Sequence, residues 1–151
     1  MKYYVAYGSN LNKEQMKHRC TCAKPLGTTN LVGYRLLFKG SKTGFYLTIE
    51  EDPQSIVPVA IWGITSLDED SLDRYEGYPR WYHKKYVYVY IKGLAVKAMV
   101  YIMYEDCPVG IPSDYYVNVC REGYRDFSLD EYYLDKALRE SKEAVYETKV
   151  S

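Results

Sequence analysis

Apolar and polar positions along the chain group mainly into strands, with helical patterns near the start, the middle and the end. Residues 3–7 form a short apolar strand broken by Gly8-Ser9-Asn10. Asn12, with Gln15 three residues on, has the pattern of an N-cap and its partner and predicts a short helix through Arg19. Residues 32–39 and 45–49 read as strands around a Gly40-Ser41-Lys42-Thr43-Gly44 turn. Residues 57–65 form a third apolar run, with Pro58 marking its beginning or an edge position. Ser66-Leu67-Asp68-Glu69 reads as a capping box, opening a helix that Gly77 ends as a left-handed cap. Residues 86–91 alternate Tyr and Val, Lys92-Gly93 supplies a turn, and residues 95–104 return as the second arm of a hairpin. Ser113 and Ser128 each stand where an N-cap belongs. The second opens a box, Ser128-Leu129-Asp130-Glu131, with Leu134 and Leu138 along one face and Lys136, Arg139 and Lys142 toward the helix end, where positive charge suits the dipole.

This order is not a regular alternation of strand and helix, which argues against a doubly wound parallel sheet. The expected class is α+β: a mixed or antiparallel sheet, barrel-like, with short helices flanking it. No internal repeat or low-complexity linker divides the chain, so residues 1–151 are expected to form one domain.

Composition narrows the function classes. Twenty Lys and Arg balance twenty Asp and Glu, and no long run of like charge occurs, which argues against a nucleic-acid or membrane-surface partner. No apolar stretch approaches the roughly 18 residues of a membrane span, and the N-terminus runs straight into a strand pattern. The chain is therefore expected to be cytoplasmic and complete. Nineteen tyrosines against three phenylalanines mean that much of the apolar interior carries hydroxyl groups needing partners. The four cysteines, Cys20, Cys22, Cys107 and Cys120, read as reduced thiols. His18-Arg19-Cys20-Thr21-Cys22 invites a metal, but its C-x-C spacing is not that of structural zinc sites, and no metal is expected.

Three segments can carry chemistry. Tyr7-Gly8-Ser9-Asn10-Leu11 joins a strand to a helix through a glycine expected to take a tight or left-handed turn, with free amides and the helix dipole favouring an anion. It is not a phosphate-binding P-loop, because no Gly-Lys-Ser/Thr follows. Glu76 lies at the end of the helix opened at Ser66, where the negative end of the dipole raises a carboxylate's pKa. Tyr75, Tyr78, Trp81 and Tyr82 can desolvate it further, which suits a general base working near neutrality. Tyr116 falls in the first turn of the helix begun by Ser113, as a substrate contact or as part of the tyrosine-rich core. His18 and His83, the two histidines, sit in no nucleophile motif, so Ser/His and Cys/His catalysis are disfavoured.

Together these segments resemble the γ-glutamylcyclotransferase family, also called the avirulence-induced-gene-like family. Tyr7-Gly8-Ser9-Asn10-Leu11 is similar to the family's N-terminal loop and Glu76-Gly77 to its mid-chain segment. Pro112-Ser113-Asp114-Tyr115-Tyr116, followed by Gly123, is similar to its third mark. The resemblance covers residues 3–134. It implies a small barrel-like α+β fold and a cofactor-free reaction on a small-molecule γ-glutamyl substrate. It further implies Glu76 as the catalytic acid/base and a substrate site formed by Tyr4, Val5, Ala6, Tyr7, Gly8, Ser9, Asn10, Tyr82 and Tyr116.

The reaction so implied cyclises a γ-glutamyl group to 5-oxoproline and releases an amino acid or amine. It needs no protein nucleophile, in agreement with the missing triad. Two other readings stay open on sequence: a pathway-specific enzyme that removes γ-glutamyl groups from an amine, and a non-catalytic small-molecule-binding module on the same fold. Asn10, where a glutathione-specific relative is expected to carry Leu, disfavours that branch.

Overall fold

Among the described residues, 1–41 and 43–150 of the computed structural model, five strands and four α-helices follow one another: β1 (Lys2–Ala6), α1 (Lys13–Arg19), β2 (Lys24–Ser41), β3 (Gly44–Ile64), α2 (Ser66–Glu76), β4 (Tyr82–Ile91), β5 (Leu94–Met103), α3 (Asp114–Asp126) and α4 (Tyr132–Val150). A 3₁₀ turn, Ser9–Leu11, bridges β1 and α1. Lys42, in the expected glycine-flanked turn, lies outside the described residues. The strands form one sheet in the order β2-β3-β1-β5-β4, with β1 and β5 parallel and every other pair antiparallel. A mixed α+β sheet is thus present.

It is not a closed barrel. The sheet curls until β2 and β4 approach each other, but side chains rather than a backbone ladder span the gap. Lys85 of β4 pairs with Glu51 at 2.7 Å and lies 5.3 Å from the centre of the Tyr34 ring of β2. The three inner strands run through the core, with Val5, Val59, Ala60, Ile61 and Val100 all fully buried.

Local signals account for most element ends. Asn12 caps α1 by accepting from the Gln15 amide, and its side-chain amide donates to Val119 O and Glu122, tying α1 to α3. Ser113 caps α3 through the Tyr116 amide. Lys92 and Gly93 turn the β4–β5 hairpin with positive φ values of 51° and 80°, as a two-residue primed turn requires.

Four expectations are corrected. The N-cap of α2 is Thr65, one residue earlier than expected: its hydroxyl accepts from the Asp68 amide, and the Asp68 carboxylate accepts from the Thr65 amide. Ser128 caps nothing. It takes φ 55° in the turn after α3, while Asp130 accepts from the Tyr132 amide and Glu131 pairs with Arg121 and Arg125. Because α4 runs to Val150, Lys136, Arg139 and Lys142 sit in its middle and do not meet the dipole's end. Finally, the runs at 45–49 and 57–65 belong to one strand, β3. It pairs with all of β2 through register shifts, the larger of which sets residues 52–55 opposite Gly33. Pro58 is accommodated because β1 pairs with β3 only from Ala60 onward, so the missing N–H falls beyond that ladder.

Gly123 marks where α3 meets the 3₁₀ turn. A Cβ there would stand 2.6 Å from both the Asn12 amide nitrogen and Leu11 Cβ. Gly123→Ala is expected to destabilise the protein by about 1–3 kcal/mol, since backbone must move to admit the methyl. Thermal denaturation measures this, and an unchanged melting temperature would show that the contact opens freely. Among the described residues, no helix is long and apolar enough to cross a membrane.

Candidate active site

Where β1 ends, the chain passes through Tyr7 and Gly8 into the 3₁₀ turn. Trp62 of β3 holds that turn by donating its indole N–H to Asn10 O at 3.0 Å. No side chain caps the turn's N-terminus, so the first amides are left for an outside acceptor. Of the tight or left-handed turn expected at Gly8 the tight one is present, with φ −129° and the Leu11 amide donating to Gly8 O at 3.0 Å. Space for a side chain there is tight. A Cβ would lie 3.3 Å from Tyr116 Oη and 3.4 Å from Leu47 Cβ.

Opposite this loop, α2 ends at Gly77 in the left-handed conformation with φ 69°, leaving Glu76 as the last helical residue. The helix is clamped to the sheet by Lys84 of β4, whose ammonium contacts Glu69 at 2.7 Å and Asp73 at 2.8 Å, and by Tyr101 of β5, whose hydroxyl donates to Asp73 at 2.5 Å. So fixed, Glu76 faces a cavity of about 280 Å³. Burial pushes its carboxyl from the usual 4.5 up to about 7, and the Arg19 guanidinium holds it back from rising further. Desolvation, rather than the helix end the sequence suggested, is the main cause. Of the aromatic residues expected around it, Tyr75, Trp81 and Tyr82 line the same cavity, whereas Tyr78 does not.

Tyr4, Tyr7, Gly8, Ser9, Asn10, Glu76, Tyr82 and Tyr116 all line this cavity, so segments far apart in sequence converge on one space. Val5 and Ala6 do not. They are 0% and 1% exposed in the core and belong to the strand that carries the site rather than to its wall. The buried phenols find partners here, as the tyrosine content required. Tyr7 donates to Tyr101 O at 2.6 Å and Tyr82 to Leu47 O at 3.0 Å, while Tyr116 Oη accepts from the Leu47 amide at 3.1 Å. Burial raises all three well above the ordinary phenol value, as it does Tyr4, so these groups stay neutral.

Sequence reasoning missed Arg19 and Tyr101. Arg19 donates to Asn10 Oδ1 and Gln15 Oε1, each at 2.6 Å, and stacks on Tyr75 at 3.6 Å. Its only mark in the chain is a basic residue in the last turn of a short helix, which reads as dipole complementation. Tyr101 is one alternating position in an ordinary strand. The His18/Cys20/Cys22 cluster does not converge: Cys20 is buried with its thiol directed at Asp68 O, while Cys22 and His18 are exposed.

Comparisons with known proteins bear on the family and the fold. The family model described as gamma-glutamyl cyclotransferase, AIG2-like, matches residues 4–118, a span that holds all three loop, helix-end and α3 segments. A solved structure named gamma-glutamyl cyclotransferase is 28% identical, covers 90% of this chain and 85% of its own, and superposes with TM-score 0.77. An uncharacterised protein from Homo sapiens is 27% identical with the same coverage and TM-score 0.80. YkqA from Bacillus subtilis, 21% identical, shares the fold with TM-score 0.77, and this chain spans about half of it, 54% of that chain. No curated protein matches at the sequence level. With a match over most of its length and the fold to go with it, the chain belongs to the gamma-glutamyl cyclotransferase, AIG2-like family.

Proposed function

We propose that the protein is a γ-glutamylcyclotransferase that converts the γ-glutamyl group of an amino acid or amine to 5-oxoproline. The observation that carries this reading is Glu76: one carboxyl, held near neutrality by burial, facing a cavity that the Tyr-Gly-Ser-Asn loop also lines. In its ionised form Glu76 accepts a proton from the substrate's α-ammonium. The freed amine attacks the γ-carbonyl carbon, closing the five-membered ring, and the charge that develops on oxygen meets donors in the cavity wall. As the bond to the leaving nitrogen breaks, Glu76 returns that proton to it. The ring nitrogen then gives up its second proton by the same carboxylate to the departing amine, which leaves as its ammonium, so acid and base are one group and nothing is consumed. Donors available for charged parts of the substrate are the first amides of the 3₁₀ turn and the neutral Tyr4 hydroxyl. Folding the substrate so that amine and carbonyl meet supplies much of the rate, as oriented ring closures reach effective molarities of about 10⁵ M or more.

The test is 5-oxoproline release from a panel of γ-glutamyl amino acids and γ-glutamyl amines. Release from members of one group only identifies the leaving-group class, and specific binding without release from any of them would leave a binding module. The reaction as written uses Glu76 for its proton transfers and the cavity's own donors for the developing charge. Turnover is therefore expected to be unchanged after chelator treatment and dialysis. A loss restored by zinc would overturn that mechanism.

A further inference from the structure

The amide of Asn10 sits between two groups that do not touch each other directly. Its oxygen accepts from Arg19 Nη1 at 2.6 Å, and its nitrogen donates to Tyr4 Oη at 2.9 Å and Glu76 Oε1 at 3.3 Å. Arg carries only donors, so its guanidinium dictates which end of the Asn10 amide faces it. The –NH₂ end is thereby turned toward the carboxylate. Arg19 is itself pinned on two further sides, by Gln15 Oε1 at 2.6 Å and by the Tyr75 ring at 3.6 Å. The fork is rigid and anchored on a different helix from the base it serves.

From this chain of contacts we propose that Arg19 is a positioning residue for Glu76, acting through Asn10 to orient the carboxylate and to favour its ionised form. The role in turnover rests on the function proposed above; the coupling between the two side chains does not. The titratable and charged groups around Glu76 are the phenols of Tyr4 on β1, Tyr7 just after it, Tyr75 on α2, Tyr82 on β4 and Tyr101 on β5, together with Arg19 on α1 and, lining the same cavity, Arg74 on α2. The phenols are uncharged across the working range, because burial lifts each of them. Of the two guanidiniums, Arg19 is the one that opposes the burial of Glu76 and lowers the carboxyl's pKa, while Arg74 donates to Ser71 Oγ. Its removal leaves desolvation unopposed and frees the Asn10 amide to rotate its oxygen toward the carboxylate.

The experiment follows the Glu76 carboxyl by carbon NMR in protein labelled at glutamate, with Glu76→Gln assigning the signal. The parent is compared with Arg19→Met and Arg19→Lys, and the pH dependence of 5-oxoproline release is measured on the same proteins. In Arg19→Met the Glu76 midpoint is expected to rise by about one pH unit. The acid limb of kcat/KM should move with it, lowering turnover below the midpoint by about tenfold. Arg19→Lys keeps the charge but loses the two-pronged hold, so its midpoint should stay near the parent's while kcat falls. An unchanged midpoint in folded Arg19→Met overturns the proposal. Should Arg19→Met fail to fold, unchanged kcat in Arg19→Lys overturns it. A parent that releases no 5-oxoproline would defeat the proposed function instead, and the NMR midpoints would still decide whether Arg19 governs Glu76.

Discussion

Replacing Glu76 by glutamine is expected to lower turnover by about 10²–10⁴-fold, toward the upper end because one group serves two proton transfers. Glutamine keeps the size and can still meet the Asn10 amide, but it cannot accept a proton at working pH. Affinity for a γ-glutamyl ligand should fall much less, since the 3₁₀ turn and the phenols that line the cavity are untouched. The stability effect has a definite sign. In the folded protein burial raises the Glu76 carboxyl from 4.5 to about 7, so the native state holds this proton more tightly than the unfolded chain. The contribution of that proton to stability is fully present below about pH 4.5 and is lost as the pH rises through about 7. The variant never ionises and escapes this loss. Its melting temperature should match the parent's near pH 4 and exceed it above pH 7, by an amount worth at most about 3 kcal/mol. Turnover, ligand affinity and melting curves at the two pH values measure all of this. Turnover within a few-fold of the parent would exclude Glu76 as the base, and an unfolded variant would make it structural.

Gly8→Val is expected to leave a folded protein that has lost about 10²-fold or more in kcat/KM. The φ of Gly8 is negative, and the constraint on a side chain there is contact. The first carbon of any side chain already meets Tyr116 Oη at 3.3 Å and Leu47 Cβ at 3.4 Å, and the two further methyls of valine must displace both. Tyr116 is fixed by the Leu47 amide, so moving one moves the other, and the cavity wall shifts on the side facing the loop. A displacement of about 1 Å near reacting groups costs this much in well-oriented ring closures. Gly8→Ala should show a smaller loss, because a shift of a few tenths of an ångström accommodates one methyl. Steady-state kinetics with a melting curve on each variant checks the grading. Equal activity in all three proteins would show that this wall does not shape the substrate site.

Much of the molecule was legible one segment at a time. The caps at Asn12 and Ser113, the left-handed end of α2 at Gly77 and the Lys92-Gly93 hairpin turn depend on contacts a few residues apart, and their residue types report those contacts. Where the local pattern misled, a longer-range partner had overruled it. The polar stretch around residues 50–55 looked like a break, yet it continues β3 because β2 pairs on either side of it, up to Glu51 and again from Ile56, with residues 52–55 taken up in the register shift opposite Gly33. Ser128 had the right neighbours for a cap, but Glu131 was already taken by Arg121 and Arg125 from α3. Barrel closure depended on how far two edge strands curl, a property of the whole sheet that no segment encodes.

The site divides in the same way. The loop at Tyr7–Asn10, the helix end at Glu76 and the tyrosine in the first turn of α3 are readable from the chain, because each is a short run of residue types tied to one backbone geometry. That they share one cavity, that Val5 and Ala6 lie behind it, and that Arg19 reaches Asn10 and holds it against Glu76 are decided only by tertiary structure. Asn10 and Glu76 are 66 residues apart in the chain. The working pKa of the carboxyl follows from that assembly, since desolvation is set by everything packed around a group and not by its neighbours in sequence. The chain thus specifies which chemical groups are present and the local turn each occupies, while packing decides which of them meet and how much water is left between them.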